Sequence, residues 1–532
     1  MIWCLSAWWL VMDHRRLFVL AQQWSDASAW GWQVSLAVGI VCVHVLLLGA
    51  LAVGPWLKPA AAVLTVVAAL SSYFSDRYGV YLDPSMMRNV LHTDTAEAVE
   101  LIGPDLVWHV LSHAGVPLLA VVSWPLPAQS WGRTLRGHLL SMLAAALALA
   151  LAVMLSFQPL ASLMRNHKEL RYLVTPAAAL WSSARVWSGD TRQVAGRRQP
   201  LGLDAVALPF ERPRLLVIVV GETVRSANWG LSGYGRDTTP GLSQRAVVNF
   251  AQVTSCGTNT EVSVPCLFAP VGRRDYDEDR IRRSESLLHV LARAGVAVQW
   301  IDNQSGCKGV CEGLPSVTVA ELNAPGTCEG PRCWDEGLIA DLTERLQRVQ
   351  GQQVLVLHML GNHGPSYFRR YPRAFAQFQP ECLDDELHRC SKQAIVNAYD
   401  NAVLYTDHVL SRLIDTLAAG AARVDTAMLY VSDHGESLGE AGLYLHGLPY
   451  AIAPTQQTQV PMVLWWSEGY GRSLGLDKDC MSKRAHQPAQ HDHVFHTVLA
   501  LTQVHTALYD PAWDLTSTCR RPSGPPGLLQ AS

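Results

Sequence analysis

Long apolar stretches fill the chain before residue 160, whereas shorter apolar runs alternate with polar segments after residue 210. Four early stretches approach or reach the ~20 residues that an α-helix needs to cross a bilayer: residues 34–53, 57–74, 106–126 and 139–157. Because almost no charge interrupts them, they favour membrane spans over buried helices of a soluble core. Residues 1–12 are apolar but short, so they predict either a truncated first span or a helix at the membrane interface.

The charge of a short loop predicts the orientation of these spans. Arg133 and Arg136 lie in the loop PAQSWGRTLRGH, and short loops that carry Arg and Lys favour the cytoplasm. The last span then runs outward and leaves everything after residue 160 outside. Residues 161–212 are polar, so we expect a linker whose first part is a helix on the membrane surface. The predicted parts are a membrane unit at 1–160, this linker, and an exported domain at 213–532.

The cysteines agree with export. Ten of the twelve lie beyond residue 250, and an even set of this kind indicates disulfides in an oxidising compartment. A zinc cluster would instead favour C-x2-C spacing, which the sequence lacks. The sequence does not fix the connectivity, but four close pairs and a fifth, wider pair suggest themselves: Cys256 with Cys266, Cys307 with Cys311, Cys328 with Cys333, Cys382 with Cys390, and Cys480 with Cys519.

The pattern after residue 212 predicts an α/β domain. The apolar runs RLLVIVV, VAVQWI, QQVLVLHML, TAMLYVS and PMVLWW alternate with helical segments such as YDNAVLYTDHVLSRLIDTLAAG. Strands that are apolar on both faces and alternate with helices indicate a doubly wound, mostly parallel sheet. The net charge of −3 and the scattered basic residues give no electrostatic case for nucleic acid as a partner.

Polar residues follow four of the predicted strands, where open α/β sheets bind their ligands. Two carboxylates and an imidazole among them, Glu222, Asp433 and His434, form a ligand set suited to zinc with one position open. The alternative is that the two carboxylates only cap helices. The remaining residues at these strand ends are Asp302, Lys308 and His363.

The loop SCGTNTEVSVPC, residues 255–266, offers hydroxyl groups to such a metal. Threonine is a poor nucleophile unless a base or a metal favours its alkoxide, and a loop clamped by two cysteines would hold the hydroxyl still. Spacing alone leaves Thr258, Thr260 and Ser263 as candidates. The alternative is an ordinary disulfide-pinched turn whose hydroxyls satisfy backbone groups.

Two further groups of histidines have plainer interpretations. His358 lies within an apolar strand, which favours a core histidine. His491, His493 and His496 in QHDHVFHTVLAL have the density of a metal site, but we interpret this stretch as the start of a helix.

Six motifs carry a family resemblance. In chain order they are VVGETVRSANWGLSGYGRDTTP, SCGTNTEVSVPC, DNQSGCKGVC, LHMLGNHGPSYFRRYP, NAYDNAVLYTDHVL and YVSDHGESLGEAGLYLHGLPYAIAP. Together they resemble the membrane-bound phosphoethanolamine transferases. This lipid A-modifying family belongs to the alkaline phosphatase and sulfatase superfamily and includes mobile colistin-resistance enzymes.

The resemblance implies roles for individual residues. Thr260 matches the nucleophile and would share one zinc ion with Glu222, Asp433 and His434. The residues that would contact the substrate fall into two groups. In the first group, His363 and His446 match positions that handle the phosphoryl group or a second zinc, and Lys308 matches a lysine near the ethanolamine phosphate. In RNVLHTDTAEA, a loop that would bind the donor lipid on one helical face, the matching residues are Asn89, Thr93 and Glu97.

The activity implied is transfer of phosphoethanolamine from phosphatidylethanolamine to a lipid A phosphate through a zinc-activated phosphothreonine-type intermediate. The protein would be a monomer in the inner membrane with its catalytic domain in the periplasm. Capping an anionic phosphate would reduce the negative charge of the envelope and favour resistance to polymyxins and cationic peptides. Two features depart from the family: Gln304 replaces a usual asparagine, and the N-terminus is short for the family's first span.

Three other functions compete with this interpretation. A sibling transferase acting on core sugar or a periplasmic glucan would share the same motifs. A sulfatase-like hydrolase would need Cys or Ser in a C/S-x-P-x-R setting, whereas the Cys-Pro proximity here is VPC, in reversed order. A non-catalytic membrane scaffold would not need the intact ligand set.

Overall fold

The computed structural model describes residues 1–24, 30–93, 95–125, 130–194, 198–330 and 332–521. Within the described helices, the side chains of residues 95–97 and 190–194 lie outside the description. The chain divides into two units: Met1–Leu91 with Ile102–Asp190, and His92–Leu101 with Thr191–Ser532.

The first unit is helical. Four of its described helices are long and apolar enough to cross a membrane, and each overlaps one of the predicted spans: Gly31–Leu51, Leu57–Tyr78, Pro104–Ser123 and Trp131–Leu155. The apolar N-terminal stretch forms a helix of only twelve residues, Ile2–Asp13, which is shorter than a span. The other described α-helices that lie wholly or mostly in this unit are Arg15–Trp24, Pro84–His92, Phe157–Asn166 and Ala177–Val194.

Polar contacts join the apolar helices of this unit. The Ser72 hydroxyl donates to Asp13 Oδ1 at 2.8 Å, and His113 Nδ1 lies 2.9 Å from the same oxygen. Because an unpaired carboxylate is costly in a membrane, these contacts explain how Asp13 is buried at the end of the first helix.

The second unit is built on an eight-stranded sheet. Its strands are β1 Arg214–Gly221, β2 Val248–Thr254, β3 Ala297–Asp302, β4 Ser316–Thr318, β5 Gln352–His358, β6 Asp425–Ser432, β7 Gln459–Trp466 and β8 Ala489–Gln490. They lie in the order β8-β2-β7-β6-β1-β5-β3-β4. Among the described strands of this sheet, β7 alone runs antiparallel to its neighbours. The predicted mostly parallel sheet is therefore confirmed.

Helices cover both faces of the sheet. Every residue of β1 and β6 is buried, and alternate side chains of β1 enter two separate apolar clusters, one on each face. This explains why the strands are continuously apolar instead of alternating with polar residues. The α-helices of the unit are Thr95–Glu100, Pro240–Ser243, Thr260–Leu267, Glu278–Arg283, Leu287–Arg293, Val319–Leu322, Leu342–Arg348, Lys392–Ala419, Thr455–Thr458, Glu468–Leu474, Lys478–Arg484 and Asp492–Leu501.

Five disulfides lie in the second unit, and they join the pairs that the spacing suggested. They are Cys256–Cys266, Cys307–Cys311, Cys328–Cys333, Cys382–Cys390 and Cys480–Cys519.

Candidate active site

The ends of adjacent parallel strands bring the predicted metal ligands together. Glu222 directly follows β1, and Asp433 and His434 directly follow β6, the neighbour of β1. One ligand atom from each of the three residues lies within 4.8 Å of the other two. All three side chains are fully buried, so their polar atoms depend on one another or on a bound ion.

The hydrogen bonds of these residues leave His434 Nε2 facing oxygens of Glu222 and Asp433. His434 Nδ1 donates to the carbonyl of Gly435 at 3.0 Å, so Nε2 is the ring nitrogen that a metal could bind in exchange for its proton. This Nε2 lies 3.3 Å from Glu222 Oε1 and 3.4 Å from Asp433 Oδ2. Asp433 Oδ2 has no hydrogen-bond partner among the residues that the structure describes. A buried carboxylate oxygen without a hydrogen bond, next to an imidazole nitrogen, fits a divalent cation.

The electrostatics of these residues also favour a cation. Burial and the neighbouring Glu222 carboxylate raise the pKa of Asp433 above its ordinary value. Burial alone would lower the pKa of His434, but Asp433 and Glu222 raise it to about 10. Without a metal, His434 therefore keeps a proton beside the Glu222 and Asp433 carboxylates, and this positive charge offsets their mutual repulsion. A zinc ion held by these side chains would offset the same repulsion.

Thr260 is the one of the three candidate hydroxyls in the loop that contacts these ligands. Its Oγ1 donates to Glu222 Oε2 at 3.1 Å and lies 3.4 Å from His434 Nε2. Thr258 Oγ1 instead donates to the carbonyl of Leu448 at 2.6 Å, and Ser263 Oγ is buried without a hydrogen-bond partner in the described part of the chain.

Local structure fixes the position of Thr260. The residue begins the helix Thr260–Leu267, and the side chain of Asn259 caps that helix by accepting from the Val262 amide at 3.0 Å. The Cys256–Cys266 disulfide joins the preceding loop to the end of the same helix. A helix N-terminus favours negative charge, so it suits both a threonine alkoxide and a bound phosphate.

Two further predicted histidines lie next to the metal ligands. The ring of His446 lies 4.4 Å from that of His434 and 5.5 Å from that of His363, measured between centroids. His446 Nδ1 lies 3.3 Å from a carboxylate oxygen of the buried Glu436. His363 Nδ1 is buried and has no hydrogen-bond partner within the described ranges. The structure therefore gathers three imidazoles next to one another, and one of them, His434, contacts Thr260.

Lys308 belongs to a charged cluster that the sequence did not reveal. Its Nζ lies 3.2 Å from Glu261 Oε1 and donates to the hydroxyl of Ser305 at 2.6 Å. Glu261 also meets Arg282 Nη2 at 3.3 Å and His92 Nδ1 at 3.4 Å. Although burial disfavours its charged form, these neighbours lower the pKa of Glu261 to about 2. The only signal in the sequence was the position of Glu261 directly after Thr260.

The predicted donor-lipid residues do not share one continuous helix, which corrects the expectation drawn from their spacing. Asn89 lies on Pro84–His92, Thr93 follows the end of that helix, and Glu97 lies on a separate helix, Thr95–Glu100. The side chain of Glu97 lies outside the described ones. The intervening HTDT is rich in residues that favour helix caps and turns over helix interiors.

The remaining polar residues near the site have structural partners. Gln304 Oε1 accepts from the Ser305 hydroxyl at 2.6 Å, within its own loop. His358 is a core histidine whose Nδ1 lies 2.8 Å from Asp302 Oδ1. The QHDHVFHTVLAL stretch begins the helix Asp492–Leu501, as expected, with His491 at its N-cap.

A mostly parallel sheet with a helix-borne threonine beside a buried Glu-Asp-His set defines a protein of the alkaline phosphatase and sulfatase type. A family model described as Sulfatase matches residues 214–504. A second model, described as Phosphoethanolamine transferase EptA/EptB, matches residues 40–191.

Comparison with individual proteins identifies the family within this class. The chain is 40% identical to phosphoethanolamine transferase EptA of Escherichia coli (strain K12), covering 88% of this chain and 87% of that protein. It is 36% identical to phosphatidylethanolamine transferase Mcr-1 of Escherichia coli, covering 85% and 86%. The structure of the integral membrane protein lipooligosaccharide phosphoethanolamine transferase A from Neisseria meningitidis superposes with a TM-score of 0.92, at 35% identity and 98% coverage of both chains. The chain therefore belongs to the membrane phosphoethanolamine transferase family.

Proposed function

We propose that this enzyme transfers phosphoethanolamine from phosphatidylethanolamine to a lipid A phosphate, with Thr260 as the covalent carrier. The observation that carries the proposal is the position of the Thr260 hydroxyl, 3.1 Å from Glu222 Oε2 and 3.4 Å from His434 Nε2 at a helix N-terminus. Its relatives are named as phosphoethanolamine and phosphatidylethanolamine transferases, which supports this donor group.

Glu222, Asp433, His434 and Thr260 would hold one zinc ion. That ion would supply positive charge favouring the alkoxide form of the Thr260 hydroxyl. The N–H groups at the start of Thr260–Leu267 add positive potential for the phosphate oxygens of the donor. Glu222 Oε2, which accepts the hydroxyl hydrogen bond, orients the threonine oxygen.

The first displacement forms a phosphoethanolamine ester on Thr260. The threonine oxygen gives its proton to His363 or His446 and attacks the donor phosphorus, and the bond between phosphorus and the glycerol oxygen breaks. The glycerol oxygen leaves with that electron pair and takes a proton from His363 or His446, which releases diacylglycerol. Lys308 and these histidines stabilise the negative oxygens around phosphorus during the transfer.

The second displacement regenerates the enzyme. A phosphate oxygen of lipid A gives its proton to the histidine that acted in the first step and attacks the same phosphorus. The bond between phosphorus and the threonine oxygen breaks, and the threonine oxygen takes that electron pair and the proton from this histidine. Because diacylglycerol departs before the acceptor reacts, the kinetics should be ping-pong. Covering an anionic phosphate with a group that bears an ammonium would lower the negative charge of the envelope and weaken the binding of polymyxins.

The location follows from the helices and the disulfides. Four apolar helices of spanning length support anchoring in the inner membrane, and five disulfides support a periplasmic position for the second unit. Both substrates are lipids, so an anchored enzyme meets them without drawing their acyl chains into water.

Lipid A masses from a host with unmodified lipid A test the proposal. We expect a phosphoethanolamine adduct when the parent enzyme is expressed and none with Thr260→Ala. Thr258→Ala is the matched control, because that hydroxyl lies in the same loop but donates to Leu448; it should retain the adduct. An adduct on core sugar instead would assign a different acceptor, and unmodified lipids in all strains would contradict transferase activity in that host.

A further inference from the structure

The segment His92–Leu101 belongs to the same unit as the catalytic sheet, and its last helix ends in a buried carboxylate. Glu100 closes the helix Thr95–Glu100 and meets two guanidinium groups. Arg370 contributes Nη2 at 2.5 Å from Oε2 and Nη1 at 3.4 Å from Oε1. Arg332 contributes Nη2 at 2.6 Å from Oε1. The side chains of Glu100 and Arg370 are only 4% and 2% exposed, so this pair is shielded from water.

Arg370 also reaches a predicted catalytic residue. Its Nε donates to the main-chain carbonyl of His363 at 2.6 Å. One planar guanidinium thus serves the Glu100 carboxylate with two nitrogens and the His363 backbone with the third. Lysine has a single nitrogen and lacks this fixed fork, so it could not hold both partners in the same geometry.

The other end of the segment also lies beside the site. His92 Nδ1 is 3.4 Å from Glu261 Oε1, and Glu261 directly follows Thr260. The His92 side chain is 46% exposed, so this contact is weaker than the buried one at Glu100. The segment therefore has its main anchor at Arg370.

We propose that Arg370 is a positioning residue of the transferase, which fixes His363 and the segment His92–Leu101 relative to each other. The proposal rests on the proposed function for the role of His363 and for donor binding near this segment. Removing Glu100 would leave the buried Arg370 without its carboxylate and release the segment. Removing Arg370 would weaken the anchor of the segment and also free the His363 carbonyl. A misplacement of about 1 Å at a reacting group can cost on the order of a hundredfold in rate.

Steady-state kinetics of the full-length enzyme in detergent, with fluorescent phosphatidylethanolamine as donor, separate the two contacts. Glu100→Gln should raise KM for the donor about tenfold with a smaller change in kcat, because it loosens the segment but leaves the contact with His363. Arg370→Lys should raise KM and also lower kcat about tenfold or more. The matched control is Arg369→Lys. Arg369 pairs with Asp385 at 2.9 Å and is 32% exposed, so its variant should keep the parent constants.

Hydrogen exchange of the backbone amides in residues 92–101 provides a readout that needs no activity. Exchange should be faster in Arg370→Lys and Glu100→Gln than in the parent and in Arg369→Lys. If the parent transfers nothing, the proposed function fails, while the exchange rates still report whether Arg370 anchors the segment. Parent-like kinetics for Arg370→Lys, parent-like exchange, or equal losses in Arg369→Lys would each overturn the inference.

Discussion

The side chain of His491 joins the disulfide loop that precedes Thr260 to the end of strand β6, so removing it should weaken the fold around the candidate active site. Its Nδ1 accepts from the Cys256 amide at 3.1 Å, and its Nε2 donates to the Ser432 carbonyl at 3.0 Å. All three residues are buried. The amide donor at Nδ1 fixes the tautomer, because a nitrogen that accepts cannot carry the hydrogen.

The expected cost follows from these two contacts. His491→Ala would leave one buried amide and one buried carbonyl unpaired, at ~1–3 kcal/mol each, or ~2–6 kcal/mol of unfolding free energy together. This is a large share of the ~5–15 kcal/mol that stabilises a typical folded domain. Because Cys256 lies four residues before Thr260, the displaced loop should also lower the transfer rate.

The pH dependence gives a second signature. Burial lowers the pKa of His491 to about 3, whereas a histidine in an unfolded chain titrates near ~6.5. Between these values the unfolded chain binds a proton that the native chain does not. Stability from this residue is therefore complete above about pH 6.5 and falls by up to ~1.4 kcal/mol per pH unit towards pH 3. His491→Ala should show a shallower loss on acidification than the parent.

Thermal unfolding of the full-length protein, followed by tryptophan fluorescence at pH 7.5 and pH 5, measures both effects. The control is His486→Ala, which removes an exposed histidine from the same unit and should leave the midpoint unchanged. Equal midpoints for the two variants at both pH values would show that the contacts of His491 do not stabilise this unit.

Three further predictions concern the site itself. Removing zinc with a chelator should abolish transfer, and added zinc should restore it. Asp433 Oδ2 has no hydrogen-bond partner among the described residues, as expected for an oxygen that binds a metal. Activity that survives complete metal removal would contradict this prediction. Replacing Cys256 and Cys266 by serine should lower the unfolding free energy by ~3 kcal/mol and reduce kcat, as measured by denaturant unfolding and turnover; parent-like values for both would argue against the clamp. Thr260→Ser should retain part of the transfer in the lipid A assay, because serine keeps a hydroxyl at this position. Full activity in Thr260→Ala would exclude Thr260 as the nucleophile.

The sequence predicted most of the fold because the strands that carry the site are buried on both faces. Their apolar runs and the polar residues after them indicated both the parallel sheet and the edge where ligands meet. The direction of β7 was not predictable, because a run such as PMVLWW is equally apolar whether it pairs in parallel or antiparallel fashion. Its antiparallel pairing is visible only in the register of the sheet.

Some features of the candidate site could not be predicted from local sequence patterns. Spacing could not choose among Thr258, Thr260 and Ser263, because all three lie between the two cysteines of the same disulfide loop. The structure separates them by their hydrogen-bond partners. The contact between Glu100 and Arg370 joins residues 270 positions apart. No periodicity encodes such a pair, since it arises only when the chain has folded.

Mass spectrometry of the enzyme trapped with phosphatidylethanolamine, in the absence of any acceptor, would detect the covalent intermediate itself. We expect the peptide bearing Thr260 to gain the mass of one phosphoethanolamine group, fragmentation to place the group on this threonine, and added lipid A to remove it. Release of diacylglycerol by an enzyme that acquires no adduct, or acquires one at a residue other than Thr260, would contradict a role for Thr260 as the covalent carrier.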